Sequence, residues 1–283
     1  MSAALLSGVP PLRVGQRFGP YRIDGVLGTG GMGIVYRAHD RKLRRTVAIK
    51  LVDRANAAAR RSLLQEARFA ASLAHPSICA VYEVGRIRDQ PYVVMEHVVG
   101  LPLSSVIRTG AGLGVEVTLH YANQIVDAVA HAHGRDIVHC DLKSANIMIT
   151  SGGGVKILDF GLANRQPVDL DATAIETTRS EMPSGAGTVP YMAPEVLRGN
   201  RPDRRSDVWA LGILLYEMAA GRRPFAGATR YELAAAILGE DPPPLPGRVP
   251  AGLCAIAARC LKKDPDRRFP CARSLAVALD NLA

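Results

Sequence analysis

The hydrophobic pattern of the chain changes near residues 97–102, and this change limits the fold more than any other feature of the sequence. Before it, short β-branched and aromatic runs such as Thr46–Ile49 are separated by glycines or charged turns, which is typical of strands. One helical pattern interrupts these runs at about 57–74, where leucines and alanines recur on one face. The first third of the chain is therefore predicted to form a sheet with one main helix.

Long alanine- and leucine-rich stretches dominate the remainder of the chain. They predict helices at 116–133, 203–220, 229–238 and 251–262. Two strand-like runs at 146–158 break the series, and the proline-rich Asp241–Pro246 is expected to be a loop between helices. The sequence thus predicts an α+β fold with a tail at 1–16, a small β-rich lobe at 17–97 and a larger, mostly helical lobe at 98–283.

Composition limits the classes of partner and the compartment. The net charge is +9 over 283 residues, but the arginine pairs are scattered and only 5% of residues are aromatic. This favours a solvated basic surface over a docking patch for acidic partners, and it predicts no nucleic-acid partner. The five cysteines include no CxxC pair, so neither a disulfide framework nor a zinc site is expected. A reducing, cytoplasmic compartment is the simpler interpretation.

The sequence does not predict a membrane span. The most apolar helix-length stretch, Val208–Gly221, is too short to cross a bilayer and contains Glu217. Residues 1–16 lack the charged and apolar regions of a signal peptide. We therefore expect no span within this chain, while a membrane anchor outside it stays an open alternative.

A glycine-rich turn places Gly28, Gly30 and Gly33 in the pattern GxGxxG, which alone is a weak signal. In dinucleotide-binding folds this turn leads into a helix, whereas the β-branched and aromatic run Ile34–Ala38 predicts a strand here. A strand–glycine–strand hairpin can lie over a polyphosphate and donate backbone N–H groups, because glycine leaves room for close approach. An ordinary glycine-rich hairpin is the alternative, and an NAD-binding oxidoreductase is disfavoured.

Lys50 ends the next strand-like run, Val47–Lys50, and the helical pattern after it carries Glu66 on the same face as apolar residues. An inward-facing carboxylate is costly unless it is paired, and Lys50 is the candidate partner. Lys50 would in turn hold the α- and β-phosphates of a nucleotide. A solvent-facing strand lysine is the commoner alternative.

Two further motifs lie in the helix-rich part: His139–Asn146, which reads HCDLKSAN, and Asp159–Gly161, which reads DFG. With the glycine turn and the Val-Ala-Ile-Lys run, in this order, they strongly resemble the signature set of protein kinases. The resemblance covers about Phe18–Leu282. It implies the bilobal protein kinase-like fold and an enzyme that transfers the γ-phosphate of ATP, with Mg²⁺, to Ser or Thr hydroxyls of proteins, including its own.

Details of these motifs indicate which class of protein kinase the chain resembles. The form DLKxxN is typical of serine/threonine rather than tyrosine kinases. The glycine turn with the run that follows it particularly resembles bacterial eukaryote-like (Hanks-type) serine/threonine kinases. Dimerisation for autophosphorylation is a further expectation, whereas the protein substrate and the upstream signal are not indicated by the sequence.

The resemblance implies a role for each residue of the catalytic motifs. Asp141 would receive or orient the proton of the attacking hydroxyl, and Lys143 would neutralise the moving γ-phosphate. Asn146 and Asp159 would hold Mg²⁺, for which Mn²⁺ is an alternative, because hard cations prefer such oxygens. His139 is expected to pack and hydrogen-bond near the Asp159 turn rather than to act as a general base.

The resemblance also implies a nucleotide site, with Lys50 and Glu66 acting as a catalytic pair. Met95–Val98 would form the hinge that reads adenine with backbone groups, with Met95 as gatekeeper. The residues implied to bind the nucleotide are Gly28, Gly30, Gly33, Val35, Ala48, Lys50, Glu96, Val98 and Met148.

One position departs from the family pattern: Cys140 stands where protein kinases usually have the arginine of HRD. In many kinases that arginine grips a phosphorylated residue of the activation loop, and a thiol cannot do this. The chain therefore resembles a non-RD kinase. We expect its activity not to depend strongly on phosphorylation of the loop hydroxyls at Thr173, Thr177, Thr178 and Ser180.

Structural roles are implied for residues outside the catalytic motifs. Glu195 is expected to pair with the distant Arg268, because a buried carboxylate needs hydrogen-bond donors. For the same reason Asp207 is expected to brace the segment His139–Asn146, which we call the catalytic loop. Thr188, in the segment expected to bind the substrate peptide, would contact the catalytic Asp and Lys.

Two rival readings share parts of this pattern. A pseudokinase that acts as a scaffold would be favoured by altered catalytic residues, and Lys50, Asp141, Asn146 and Asp159 are all present. A small-molecule phosphotransferase of the aminoglycoside kinase type usually lacks the run Gly187–Glu195, which this chain has. Both alternatives are therefore disfavoured.

Overall fold

The computed structural model describes residues 12–30, 33–51, 72–87, 90–159 and 189–282. These residues divide into two compact units. The first contains the described residues up to Ala74 together with Cys79–Val99, and the second contains His75–Ile78 and the described residues from Gly100 onward. The first unit is rich in strands and the second is mostly helical, which confirms the predicted α+β, bilobal kinase-like fold.

The first unit is built on one antiparallel sheet of six strands in the order β1-β2-β3-β4-β6-β5. The strands are β1 (Arg17–Phe18), β2 (Tyr21–Gly30), β3 (Gly33–Asp40), β4 (Arg45–Leu51), β5 (Val81–Ile87) and β6 (Gln90–Glu96). The five consecutive residues Val47–Leu51 of β4 are all buried, as expected for a strand covered on both faces. The helix predicted at about 57–74 lies almost entirely outside the described residues.

Aromatic side chains close one face of this sheet. Phe18 packs edge-on against Tyr92, with ring centroids 5.2 Å apart. The hydroxyls of Tyr21 and Tyr92 donate to the two carboxylate oxygens of Glu83, each at 2.5 Å. Burial, and then the contact with Glu83, raise the pKa of Tyr92 to about 12. This cluster joins β2, β5 and β6 and so fixes the sheet that carries the glycine hairpin and Lys50.

The second unit contains a small sheet and a set of helices. Its strands are β7 (Gly100–Pro102), β8 (Ile147–Thr150) and β9 (Val155–Ile157). Its helices are α1 (Leu103–Val106), α2 (Val115–His133), α3 (Pro194–Leu197), α4 (Arg204–Ala220), α5 (Arg230–Gly239), α6 (Ala251–Cys260) and α7 (Ala272–Asp280). The four long helices predicted from the alanine- and leucine-rich stretches correspond to α2, α4, α5 and α6, and the loop predicted at Asp241–Pro246 separates α5 from α6.

Helix α4 forms the centre of the second unit and is buried on nearly every face. Asp203 caps its N-terminus in a reciprocal arrangement with Ser206, and Gly221 ends it with a φ of 70°. The apolar stretch Val208–Gly221 is thus explained by burial within the protein. In the part of the chain that the structure describes, the helices are all too short or too polar to cross a membrane.

The segment His75–Ile78 belongs to the second unit although the chain on both sides of it belongs to the first. His75 Nε2 lies 3.0 Å from Asp127 Oδ2 on α2, and the Ile157 N–H donates to the Ser77 carbonyl at 2.8 Å. The predicted lobes are continuous in the sequence and do not separate this segment from its neighbours. Their bounds, 17–97 and 98–283, stay a prediction.

Candidate active site

The loop between α2 and β8 brings together two predicted catalytic residues, Asp141 and Lys143, and the predicted metal ligand Asn146. Asp141 is buried, and its Oδ2 accepts from Lys143 Nζ at 2.8 Å and from Asn146 Nδ2 at 3.1 Å. The Asn146 amide also donates to the Asp141 carbonyl at 3.0 Å. Because this contact uses the amide nitrogen of Asn146, its oxygen is the atom that a cation could bind.

Asp207, in the first turn of α4, holds the start of this loop. Its carboxylate accepts from the backbone N–H of His139 at 2.8 Å and from that of Cys140 at 3.0 Å. His133 Nδ1 accepts from the Ala272 N–H, so its Nε2 carries the proton that it donates to Asp207 at 3.0 Å. The predicted bracing of the catalytic loop by Asp207 is confirmed.

His139 is completely buried in the same loop. Its Nδ1 accepts from the Asp141 N–H at 3.2 Å, and the ring is also within reach of a backbone hydrogen bond to Leu158, next to Asp159. Burial lowers the pKa of His139 despite the nearby carboxylates. A neutral, enclosed imidazole that orients the Asp141 backbone agrees with the structural role predicted for it.

Two residues of this region have left-handed backbone conformations that non-glycine residues rarely adopt: Cys140 has a φ of 63° and Asp159 a φ of 52°. Such strain is typical of positions where a side chain must be aimed against local preference. The Leu158 N–H donates to the Asn146 carbonyl at 2.8 Å, so the Asp159 turn is joined to the catalytic loop next to Asn146.

The chemistry of the donor set fits a hard divalent cation. Asn146 and Asp159 offer amide and carboxylate oxygens, and Mg²⁺ is commonly held by one or two such residues together with substrate phosphates. Within the described ranges, no group of three or more His, Cys, Asp or Glu side chains could hold a metal alone. Asn146 and Asp159 would supply two oxygen ligands, and phosphate oxygens or waters would complete the coordination of the cation.

In the first unit, the glycine turn forms the tip of the β2–β3 hairpin. Gly28 pairs with Val35, and Gly30 pairs with Gly33, whose φ is 138°. Among the described residues, a Cβ added to Gly28 would meet no atom within 4 Å. The strand predicted after the glycines is confirmed, so the strand–glycine–helix turn of a dinucleotide-binding fold is absent from this hairpin.

Lys50 lies on β4, opposite Val35 of β3 and Val93 of β6, and is only 8% exposed. The solvent-facing alternative is therefore wrong. Ala48 is buried two residues earlier on the same strand. Glu66, the predicted partner of Lys50, lies outside the described residues, so their pairing stays a prediction.

The predicted hinge residue Glu96 is held by a segment that sequence reasoning did not identify. Its N–H donates to the Ala80 carbonyl at 2.9 Å, and its carboxylate accepts from the Ala80 N–H at 3.3 Å. The Cys79 thiol donates to the Glu96 carbonyl at 3.6 Å. Val98 follows as a half-buried residue.

Met148 lies apart from these residues in the chain, on β8 of the second unit. It pairs with Pro102 of β7 and Lys156 of β9 and is half-buried. The structure therefore places eight of the nine predicted nucleotide residues in the first unit and Met148 in the second.

The predicted pair of Glu195 and Arg268 is confirmed. The guanidinium binds both carboxylate oxygens at 2.8 Å, and Ser206 Oγ donates to the same carboxylate at 2.8 Å. The remaining guanidinium N–H groups reach the backbone carbonyls of Lys262, Lys263 and Arg205. This buried ion pair is therefore fully hydrogen-bonded, which is the condition under which such a pair is tolerated. Thr188, expected to contact the catalytic residues, lies outside the described residues.

Comparison with known proteins agrees with this geometry. The family model described as protein kinase domain matches residues 21–278. A probable serine/threonine-protein kinase of Streptomyces coelicolor is 38% identical over 281 residues, which covers 95% of this chain and 40% of that protein. The chain belongs to the protein kinase domain family.

Two further relatives are bacterial as well. The serine/threonine-protein kinase PrkC of Bacillus subtilis is 38% identical over 269 residues, covering 93% of this chain and 40% of PrkC. The serine/threonine-protein kinase PknB of Mycobacterium leprae is 35% identical over 270 residues, covering 92% of this chain and 42% of PknB. The chain thus spans about two fifths of the length of these relatives.

Proposed function

We propose that the chain is the catalytic part of an ATP-dependent serine/threonine protein kinase of the bacterial eukaryote-like (Hanks-type) class. One observation carries the proposal: the buried Asp141 carboxylate is bound by both Lys143 and Asn146 in a chain that matches the kinase family along most of its length. Phosphoryl transfer depends mainly on positioning and charge stabilisation, and this cluster provides both.

In the proposed reaction, Asp141 accepts a hydrogen bond from the substrate Ser or Thr hydroxyl and orients it for attack. Lys143, 2.8 Å from that carboxylate, places a positive charge where the γ-phosphoryl group moves. Asn146 and Asp159 would hold Mg²⁺, or Mn²⁺ in its place, and the metal would neutralise phosphate charge.

The first unit would bind the nucleotide. The Gly28–Gly33 tip would offer backbone N–H groups to the phosphates, since no atom of the described residues lies within 4 Å of a Cβ placed at Gly28, and Lys50 on the adjacent β4 would bind the α- and β-phosphates. Glu66 would orient Lys50, and Val35, Ala48, Glu96 and Val98 would line the adenine site.

The test is phosphate incorporation from radiolabelled ATP with Mg²⁺ into a generic basic protein, compared with the Asp141→Asn variant. We expect the variant to lose at least about 100-fold in rate, because a positioned general base contributes that much. Asp136→Asn is the matched control, since its side chain is 91% exposed and lies in the turn that precedes the same loop.

Equal incorporation by the wild-type chain and the Asp141→Asn variant would reject the catalytic assignment. An aminoglycoside offered in the same assay separates the protein kinase from the small-molecule phosphotransferase. Transfer to the aminoglycoside and not to the protein would support the rival.

We also propose that the kinase is of the non-RD type. The Cys140 side chain has no positive charge with which to bind a phosphate group, and its thiol lies 3.7 Å from the Val138 carbonyl. Activity should then not depend strongly on the loop hydroxyls at Thr173, Thr177, Thr178 and Ser180, which lie outside the described residues. Replacing all four by alanine should leave the rate within about tenfold. A fall of a hundredfold, about 2.7 kcal/mol of barrier, would contradict this.

A cytoplasmic location and dimerisation for autophosphorylation remain further proposals. The cytoplasmic location is supported by the cysteines, since the five of them form no disulfide in the part of the chain that the structure describes. Dimerisation predicts an autophosphorylation rate per molecule that rises with protein concentration. A rate per molecule that is independent of concentration would support transfer within one chain.

A further inference from the structure

A line of three buried or half-buried polar side chains runs from the catalytic loop into the centre of the second unit. Ser144 is 3% exposed, and its Oγ lies 2.8 Å from the hydroxyl of Tyr191, which is 7% exposed. The Tyr191 hydroxyl in turn lies 2.5 Å from Glu217 Oε2. Ser144 belongs to the catalytic loop, Tyr191 to the turn Val189–Tyr191 and Glu217 to helix α4.

The direction of these hydrogen bonds follows from counting protons. A carboxylate only accepts, so the single hydroxyl proton of Tyr191 goes to Glu217. The Tyr191 oxygen must then accept from Ser144, which donates. Burial, and then the negative charge of Glu217, raise the pKa of Tyr191, while hydrogen bonds from Ser144 act in the opposite direction, as donors to the phenol oxygen do. The order is therefore Ser144 to Tyr191 to Glu217.

The hydrogen-bonded line reaches the catalytic loop next to the residues that bind Asp141. Ser144 begins the short turn Ser144–Asn146, between Lys143 and Asn146, the two residues that bind the Asp141 carboxylate. Asp207, on the same helix as Glu217, holds the loop on the other side of Asp141, through the N–H groups of residues 139 and 140.

Helix α4 thus contacts the loop twice, directly before Asp141 and indirectly after it. The two anchoring carboxylates are ten residues apart on that helix, or about 15 Å along its axis. A rigid helix with two such anchors fixes both ends of the turn that carries the catalytic carboxylate. Removal of one anchor would leave Asn146 and Lys143 free to shift relative to Asp141, and a displacement of about 1 Å can cost a hundredfold in rate.

We propose that Ser144 is a positioning residue for phosphoryl transfer, acting through its donated hydrogen bond to Tyr191. This inference rests on the proposed kinase function. It assigns to the Ser144 hydroxyl a role in the chemical step rather than in nucleotide binding, because its contacts lead to the catalytic loop and to α4 in the second unit.

The experiment measures the single-turnover rate of phosphoryl transfer and the KM for ATP in four proteins: wild type, Ser144→Ala, Tyr191→Phe and the double variant. We expect Ser144→Ala to lower the transfer rate about tenfold with the KM for ATP unchanged within about twofold. In the Tyr191→Phe background, Ser144→Ala should have less than about a twofold further effect, because the acceptor is already missing.

Additive losses would overturn the inference, since a residue with a separate structural role would lower the rate equally in both backgrounds. Thr118→Val is the matched control. Thr118 Oγ1 is buried in the same unit and has no hydrogen-bond partner among the described residues, so its removal should leave the transfer rate unchanged.

The outcomes also separate this inference from the proposed function. Transfer by the wild type with an unchanged rate for Ser144→Ala overturns the inference alone. A wild-type protein that transfers no phosphate overturns the proposed function and the inference together.

Discussion

The catalytic loop and the glycine hairpin are held in different ways. In the loop, His139, Asp141 and Ser144 are buried, and its shape depends on side-chain hydrogen bonds to residues more than 40 positions away in the sequence, such as Asp207. At the hairpin, Val26 and Leu27 are about half exposed, and the described contacts of the tip are ladder pairs between backbones.

This difference predicts which substitutions should lower the transfer rate and the free energy of unfolding together. A loop fixed by buried side chains loses both packing and geometry when one of them is altered, because each leaves a partner unsatisfied. A hairpin tip fixed by its backbone can lose nucleotide affinity while the fold stays intact. The predictions below test this contrast, and they begin with the largest effect.

Asp207→Asn should damage the loop most. Both carboxylate oxygens accept hydrogen bonds, and an amide can offer only one oxygen, so its NH₂ group must face at least one N–H donor. We expect the free energy of unfolding to fall by about 3 kcal/mol and the transfer rate of the remaining folded protein to fall about 100-fold. Denaturant unfolding and single-turnover kinetics measure the two effects.

The matched control for this prediction is Asp203→Asn, at the N-cap of the same helix. Asparagine caps helices about as well as aspartate, so the free energy of unfolding should change by less than about 1 kcal/mol and the rate should not change. If Asp207→Asn behaved like Asp203→Asn, the claim that buried side chains hold the loop would be refuted.

Much of this architecture was predictable because its signals are local. The helices α2 and α4 follow from alanine- and leucine-rich stretches, and the hairpin follows from glycines next to a β-branched run. The roles of Asp207 and of the Glu195–Arg268 pair came from resemblance to a family, since residues 73 apart in the sequence share no local pattern.

The features that could not be predicted depend on contacts between distant residues. Ser144 and Tyr191 are 47 residues apart, and neither carries a motif that indicates the other. The same holds for Cys79 and Glu96, which meet only because β5 and β6 pair in the folded sheet. His75–Ile78 joins the second unit through a side-chain hydrogen bond and a backbone hydrogen bond, neither of which has a sequence signature.

Gly33→Ala should have an intermediate effect at the hairpin. A φ of 138° is strained for alanine, and such a conformation costs about 1–3 kcal/mol. We expect the free energy of unfolding to fall by about 1 kcal/mol and the KM for ATP to rise about fivefold, with the transfer rate at saturating ATP nearly unchanged. Gly25→Ala, in the same hairpin, is the control, since its nearest neighbour would be Arg37 Nη2 at 4.0 Å. A larger loss in the transfer rate than in ATP affinity would show that the tip acts on the chemical step.

Gly28→Ala should have the smallest effect and is the sharpest test of the contrast. A methyl group there meets no atom of the described residues within 4 Å, so the free energy of unfolding should change by less than about 0.5 kcal/mol. If phosphates pass close to this backbone, the same methyl group should weaken ATP binding about threefold, roughly 0.6 kcal/mol, and leave adenosine binding unchanged. Calorimetric titration of both ligands measures the difference. Equal weakening of ATP and adenosine would place the methyl group near the base, and a loss of stability above about 1 kcal/mol would show that side-chain packing also holds the tip.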